Sequence, residues 1–109
     1  MTKFIQVSTA TAEQADAEKI ATALIEQSLV ACVHVSGPVR SCYRWKGRVE
    51  STDEWLCVAK TIFSQYERIE QEIRRLHPYE LPQILAVPVL AGSADYLRWI
   101  EKQVAEPDG

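Results

Sequence analysis

Apolar and polar positions change period several times along the chain, and each change marks an element. Phe4-Ile5-Gln6-Val7 is rich in β-formers and predicts a buried first strand. Apolar residues then fall at Ala17, Ile20, Ala21, Leu24 and Ile25, the stripe of an amphipathic helix. Thr11 with Gln14 three residues later has the spacing of a capping box that would open this helix, and the helix is expected to end near Leu29. Strand character resumes over Val30 to Val35. Ser36-Gly37-Pro38 interrupts it as a bulge or bend would, and it runs on through Val39 to Trp45. Lys46-Gly47 suits a two-residue hairpin turn. The return strand divides in two: Arg48 to Thr52 is polar and exposed in character, and Trp55 to Ile62 is apolar.

A second helical stripe, Tyr66, Ile69, Ile73 and Leu76, follows Ser64, whose spacing to Glu67 is again that of a capping box. This helix must stop before Pro78, because proline restricts the residue ahead of it. Leu81 to Leu90 predicts a last core strand. Its Pro82 and Pro88 cannot donate ladder hydrogen bonds, which places them at strand ends or at a sheet edge. Ser93 caps a final helix carrying Leu97, Ile100 and Val104, with Tyr96 and Trp99 on neighbouring faces. The order is β-α-β-β-α-β-α. Its first six elements match the ferredoxin-like split βαβ fold of the α+β class, and the added C-terminal helix needs a surface to cover. One domain is expected over residues 1–104, with a short loose tail over 105–109, where Pro107 and Gly109 stand.

A chain of 109 residues, 47% hydrophobic, can fill one core. A net charge of −3 gives no global pull toward nucleic acid or an anionic membrane. Arg40, Arg44, Lys46 and Arg48 do gather locally, as the solvated tip of a hairpin would. The longest apolar run, Ile84 to Ala91, falls far short of the roughly 20 residues of a spanning helix. Met1-Thr2-Lys3-Phe4 leads straight into strand-like sequence and lacks the form of a signal peptide. Cys32, Cys42 and Cys57 are odd in number with no CxxC pair, which suits reduced thiols in a cytoplasmic protein.

The hairpin bears on assembly. Each arm, from Pro38 or from Asp53 to the tip, adds roughly 20–25 Å at ~3.3 Å per residue. A domain of this size has a radius of gyration of only ~13 Å. The overhang carries Val39, Tyr43, Trp45 and Val49, and burying a large apolar side chain is worth roughly 1.5–3 kcal/mol. Self-association would cover these four residues; a hairpin folded back on its own sheet is the alternative.

Several segments stand in a specific order: Ala31-Cys32-Val33, Tyr43-Arg44-Trp45-Lys46-Gly47, Lys60-Thr61, His77-Pro78-Tyr79-Glu80-Leu81-Pro82 and Asp95-Tyr96-Leu97-Arg98-Trp99-Ile100. Together they resemble the CutA family, the divalent-cation tolerance proteins, over nearly the whole chain. The resemblance implies a ferredoxin-like fold, a homotrimer whose long hairpins pair between subunits, and an architecture similar to that of the PII signalling proteins, which bind ligands in clefts between subunits. It also implies a link to tolerance of divalent metals, copper especially. Family members proposed to bind copper resemble each other in a Cys at the end of strand one and a double His before Pro-Tyr. Here those positions hold Ser8 and Leu76-His77, and serine is a poor copper ligand.

Copper prefers thiolate and imidazole, and the chain offers three cysteines and two histidines, His34 and His77. Cys32 and His34, two residues apart on a strand, point to one face. They are either two ligands of an ion completed by a neighbouring subunit, or a buried thiol beside a hydrogen-bonded imidazole. Cys57 alternates with core positions, and Cys42 lies on the hairpin. Between its two prolines the segment His77–Pro82 is stiff. It serves as a rigid crossover into strand four, or as one wall of an inter-subunit cleft with Lys60, His77, Tyr79, Glu80 and Trp45. Lys60 shares a face with Leu56, Val58 and Ile62, and a lysine there needs a partner. The resemblance suggests Glu80, in a structural ion pair or in recognition of an anionic ligand. Lys60, His77 and Glu80 could also serve as acid–base groups, but no nucleophile motif, phosphate loop or metal-protease spacing accompanies them, so no enzyme is expected. The expectation is a metal- or ligand-binding trimer. A PII-like sensor or a partner-presenting scaffold is the alternative.

Overall fold

The computed structural model describes residues 3–106. Over these residues the chain forms β1 (Phe4–Thr11), α1 (Gln14–Glu26), β2 (Cys32–Trp45), β3 (Arg48–Ile62), α2 (Tyr66–Leu76), β4 (Leu85–Pro88) and α3 (Ala94–Gln103). The strands make one sheet in the order β2-β3-β1-β4 with antiparallel neighbours throughout. This is the expected ferredoxin-like α+β arrangement with an added helix.

Strand alternation gives the sheet two different faces. Ile5 and Val7 of β1 and Ala59 of β3 turn toward α1 and α2, where they form the main core with Ile20, Leu24, Ile69 and Ile73. Cys57 is buried on the same face and donates its thiol to the Ala17 carbonyl at 3.3 Å. Burial pushes this thiol up to about 11. Among the described residues the opposite face is covered at one end, where Ile100 of α3 and Val104 just after it lie against Ile62, Phe4 and Ala31. The rest of that face is open.

The hairpin joining β2 to β3 turns on Lys46 and Gly47, which take φ of 50° and 78° between the paired residues Trp45 and Arg48. That is the left-handed pair a two-residue hairpin turn requires. The expected break at Ser36-Gly37-Pro38 is a bulge. Ser36 pairs with Leu56 and Val39 with Glu54, so Gly37 and Pro38 together face Trp55. β3 itself runs unbroken, so the two parts expected of it differ in exposure and not in structure.

Three local expectations are corrected. Thr11 does not cap α1: it is the last residue of β1, paired with Trp55 and buried, and its hydroxyl donates to the Glu13 carbonyl at 2.7 Å. Sheet pairing prevails over the capping pattern, and α1 starts without a side-chain cap. Ser64 does not cap α2 either. It lies inside a 3-10 turn, Phe63–Gln65, that precedes the helix. Finally, β4 has four residues, all exposed, and among the described residues pairs only with β1. Its edge position agrees with its prolines, but it is not a core strand. Ser93 caps α3 as expected, its hydroxyl accepting from the Tyr96 N–H at 3.3 Å.

The C-terminal segment is anchored further than expected. The Ala105 N–H donates to the Ser28 carbonyl at 2.8 Å, and its carbonyl accepts from Gln65 Nε2. Residues 107–109 of the expected tail lie outside the described residues.

Candidate functional site

The open face of the sheet holds two polar clusters, one at each end of the paired region. The first is built on β2 and β3 beneath α3. Register sets Cys32 directly opposite Lys60, and His34 opposite Val58. Lys60 Nζ donates to His34 Nδ1 at 3.2 Å. From α3, the Tyr96 hydroxyl lies 3.6 Å from Cys32 Sγ, and its ring stacks on Trp99 at 5.6 Å between centroids. The hydrogen bond to Cys32, followed by burial, raises the Tyr96 phenol above its ordinary range. Cys32 and Lys60 are half-buried and His34 is exposed.

The second cluster lies where β3 leaves β1 and continues into the hairpin. His77, the residue after α2, is buried. Its Nδ1 accepts from the Tyr79 N–H at 3.1 Å, so Nε2 carries the ring proton and donates to the Ala10 carbonyl at 2.7 Å. The ring thereby straps the loop to the end of β1, and as placed it presents no free lone pair to a metal. The strap aims Tyr79 at β3, where its hydroxyl donates to Glu54 Oε2 at 2.7 Å. Burial first, then the Glu54 hydrogen bond and charge, lift the Tyr79 phenol well above the usual range. Tyr43 approaches from the hairpin side, its hydroxyl 3.4 Å from Thr52 Oγ1, two residues from Glu54 on the same strand face.

The five residues expected to share a cleft are therefore spread along one chain. Lys60 pairs with Gln6 of β1, while His77 meets Ala10, four residues further, or roughly 13 Å at ~3.3 Å per residue. Within one chain Lys60 is partnered by His34, while Glu80 is exposed. Trp45 lies at the hairpin tip, beyond both clusters. Of the expected metal ligands, Cys32 and His34 share a face and His77 stands apart. Among the described residues no three His, Cys, Asp or Glu side chains gather as a metal site within one chain. Of the hairpin residues, Val39, Tyr43 and Trp45 share a face, whereas Val49, opposite Arg44, points to the other side. Sequence reasoning missed Glu54 and Tyr96. Glu54 does alternate in phase with Leu56, Val58 and Lys60, and Tyr96 stands in the Asp95–Ile100 segment that carries the resemblance; these were the available signals.

The family model described as "CutA1 divalent ion tolerance protein" matches residues 5–103. The chain belongs to the CutA1 family. A divalent-cation tolerance protein CutA from Thermus thermophilus is 37% identical over 79% of this chain and 84% of its own length. One from Archaeoglobus fulgidus is 33% identical over 95% of this chain and 99% of its own. Human protein CutA is 39% identical, and the match spans half of that longer relative. Among solved CutA1 structures, that from Thermus thermophilus superposes with a TM-score of 0.91 at 32% identity, covering 94% of this chain and 99% of its own. That from Oryza sativa superposes at 0.93 with 26% identity, covering 97% of each chain. CutA1 relatives carry different locations in their names: the Archaeoglobus fulgidus protein of known structure is called periplasmic, and an Arabidopsis thaliana relative is called chloroplastic. No helix among the described residues is long and apolar enough to cross a membrane.

Proposed function

We propose that this chain works as a cytoplasmic, non-enzymatic homotrimer in tolerance of divalent metals, with copper the preferred ion, and holds a metal ion between subunits. The observation that carries the reading is the placement of Cys32 and His34 on the open sheet face. A thiol and an imidazole fit copper and other soft or borderline ions and do not suit magnesium or calcium. With two donors per chain, a complete site takes its third ligand from a neighbouring copy. The open face and the overhanging hairpin, where Val49 is 74% and Trp45 39% exposed, supply surface for that neighbour. Three free thiols suit a reducing compartment.

Native mass spectrometry with and without one equivalent of Cu(II) per chain tests this. The expected result is a trimer that takes up a fixed number of copper ions, reduced in the Cys32→Ser and His34→Ala variants. A monomer would remove the assembly, and a metal-free trimer would remove the metal.

A metal-free trimer would favour a second reading, a small-molecule ligand in an inter-subunit cleft as in PII-like signalling. Its support is the second cluster, where the Tyr79 and Tyr43 hydroxyls and the Glu54 carboxylate converge at the stiff His77–Pro82 loop. Glu80 lies on the same loop, and Trp45 and Lys60 would join it only from another subunit. A Tyr79→Phe variant with unchanged ligand binding would remove that reading.

A further inference from the structure

We infer that Lys60 guards the Cys32–His34 donor pair, so that an ion binds there only by displacing the lysine ammonium; this rests on the proposed metal reading of these residues. An ammonium has protons to give and no lone pair, so the His34 nitrogen it touches must be the acceptor. The neutral ring then carries its proton on Nε2. The one in-plane lone pair of the neutral ring, on Nδ1, is therefore occupied by Lys60, and Nε2 carries the proton.

Lys60 is also held in place. It is the direct cross-strand neighbour of Cys32, its carbonyl accepts from the Ala31 N–H at 2.8 Å, and β1 pairs with it from the other side through Gln6. Its stem emerges on the strand face of Leu56, Val58 and Ile62, and its head meets His34. The charge thus stands against His34, on the strand position opposite Cys32, and repels an approaching cation. On the α3 side, the Tyr96 hydroxyl occupies Cys32 Sγ.

Entry of a metal then has a defined course. The Lys60 ammonium turns out to water with its protons, and the Nδ1 lone pair passes to the ion. The Cys32 thiol gives its proton to solvent as the metal–sulfur bond forms. Ions that bind thiolate and imidazole strongly repay this displacement, and hard ions that favour carboxylate and water do not. Lys60 is on this account a specificity residue that sets a threshold for entry.

The test uses the full chain with Cys42→Ser, which removes the exposed thiol, and Co(II) as a redox-inert probe under anaerobic conditions. Thiolate-to-cobalt charge-transfer absorption is titrated in this parent and in Lys60→Gln, with Lys60→Met as an independent second variant. Native mass spectrometry checks the assembly of each. Both variants are expected to bind Co(II) about ten-fold more tightly, the scale of effects around a metal's ligands. Lys60→Arg should behave like the parent, and the band should vanish in Cys32→Ser and weaken in His34→Ala. Equal affinity in the parent and Lys60→Gln, with a band that still depends on Cys32, would overturn the guard and leave the metal site standing. No band dependent on Cys32 in any variant would overturn the metal reading and the guard with it.

Discussion

At the scale of single residues, one glutamate, Glu54, helps decide where a loop goes. Tyr79 is half-buried and satisfied by Glu54, while His77 satisfies the loop backbone and β1 at once. Tyr79→Phe should lower stability by about 1 kcal/mol, the usual net worth of a hydrogen bond. Denaturant titration would detect this; an unchanged midpoint would mean that water replaces the bond at no cost. The two prolines of this segment were legible as constraints on its backbone, but the partner of Tyr79 was not. Glu54 stands in a polar stretch, and only the fold brings it beneath Tyr79. Cys57 was legible as core from its alternation, and burial gives it a pH signature. Its neutral thiol is favoured in the folded state, so that contribution is intact below the ordinary value of 9.0 and is lost as pH rises through about 11. The unfolding midpoint should therefore fall more steeply over that window in the parent than in Cys57→Ala. Parallel pH profiles would show that this thiol is not the group responsible.

At the scale of elements, the periodicities located the three α-helices and the hairpin turn, because each depends on near neighbours in sequence. What they misplaced were boundaries set by distant partners. β1 outlasts its apolar run because β3 continues to pair with it as far as Trp55, and β4 shrinks because β1 is its one strand neighbour. The bulge was legible in Ser36-Gly37-Pro38, but its packing was not. A Cβ on Gly37 would lie 2.9 Å from two atoms of the Trp55 ring and 3.0 Å from the Glu54 carbonyl, at a φ of 156° that L side chains rarely adopt. Gly37→Ala should therefore cost about 1–3 kcal/mol from backbone conformation, with the clash added. It should also redirect the hairpin, because the bulge is where the arm leaves the sheet. Thermal unfolding measures the first effect and native mass measures the second. A variant with parent stability and parent mass would show that Trp55 yields freely.

At the scale of the whole molecule, the hairpin makes one copy elongated. The principal extents are 43 × 26 × 22 Å and the radius of gyration is 14.5 Å, against about 13 Å for an ordinary domain of this length. The expected overhang is therefore present, and it is not folded back: Tyr43 is 42% and Trp45 39% exposed on one of its sides. That side is continuous along β3 with the open face bearing Glu54 and Lys60, so one neighbouring surface can cover hairpin and sheet together. Val49, on the reverse side, then meets either solvent or a different neighbour, a division that a closed trimer accommodates because each copy has two neighbours. The exposed part of the Trp45 side chain is on the order of 100 Å², worth about 2.5 kcal/mol on burial at roughly 25 cal/mol per Å². Trp45→Asp forfeits this and places a carboxylate in the contact, once per subunit, whereas Trp45→Phe keeps most of the apolar area. Sedimentation at micromolar concentration should find the parent and Trp45→Phe associated and Trp45→Asp dissociated to a folded single chain, since Trp45 lies beyond both apolar cores of the domain. An associated Trp45→Asp of parent stability would mean that the hairpin tip faces water and that assembly, where it occurs, uses the sheet face alone.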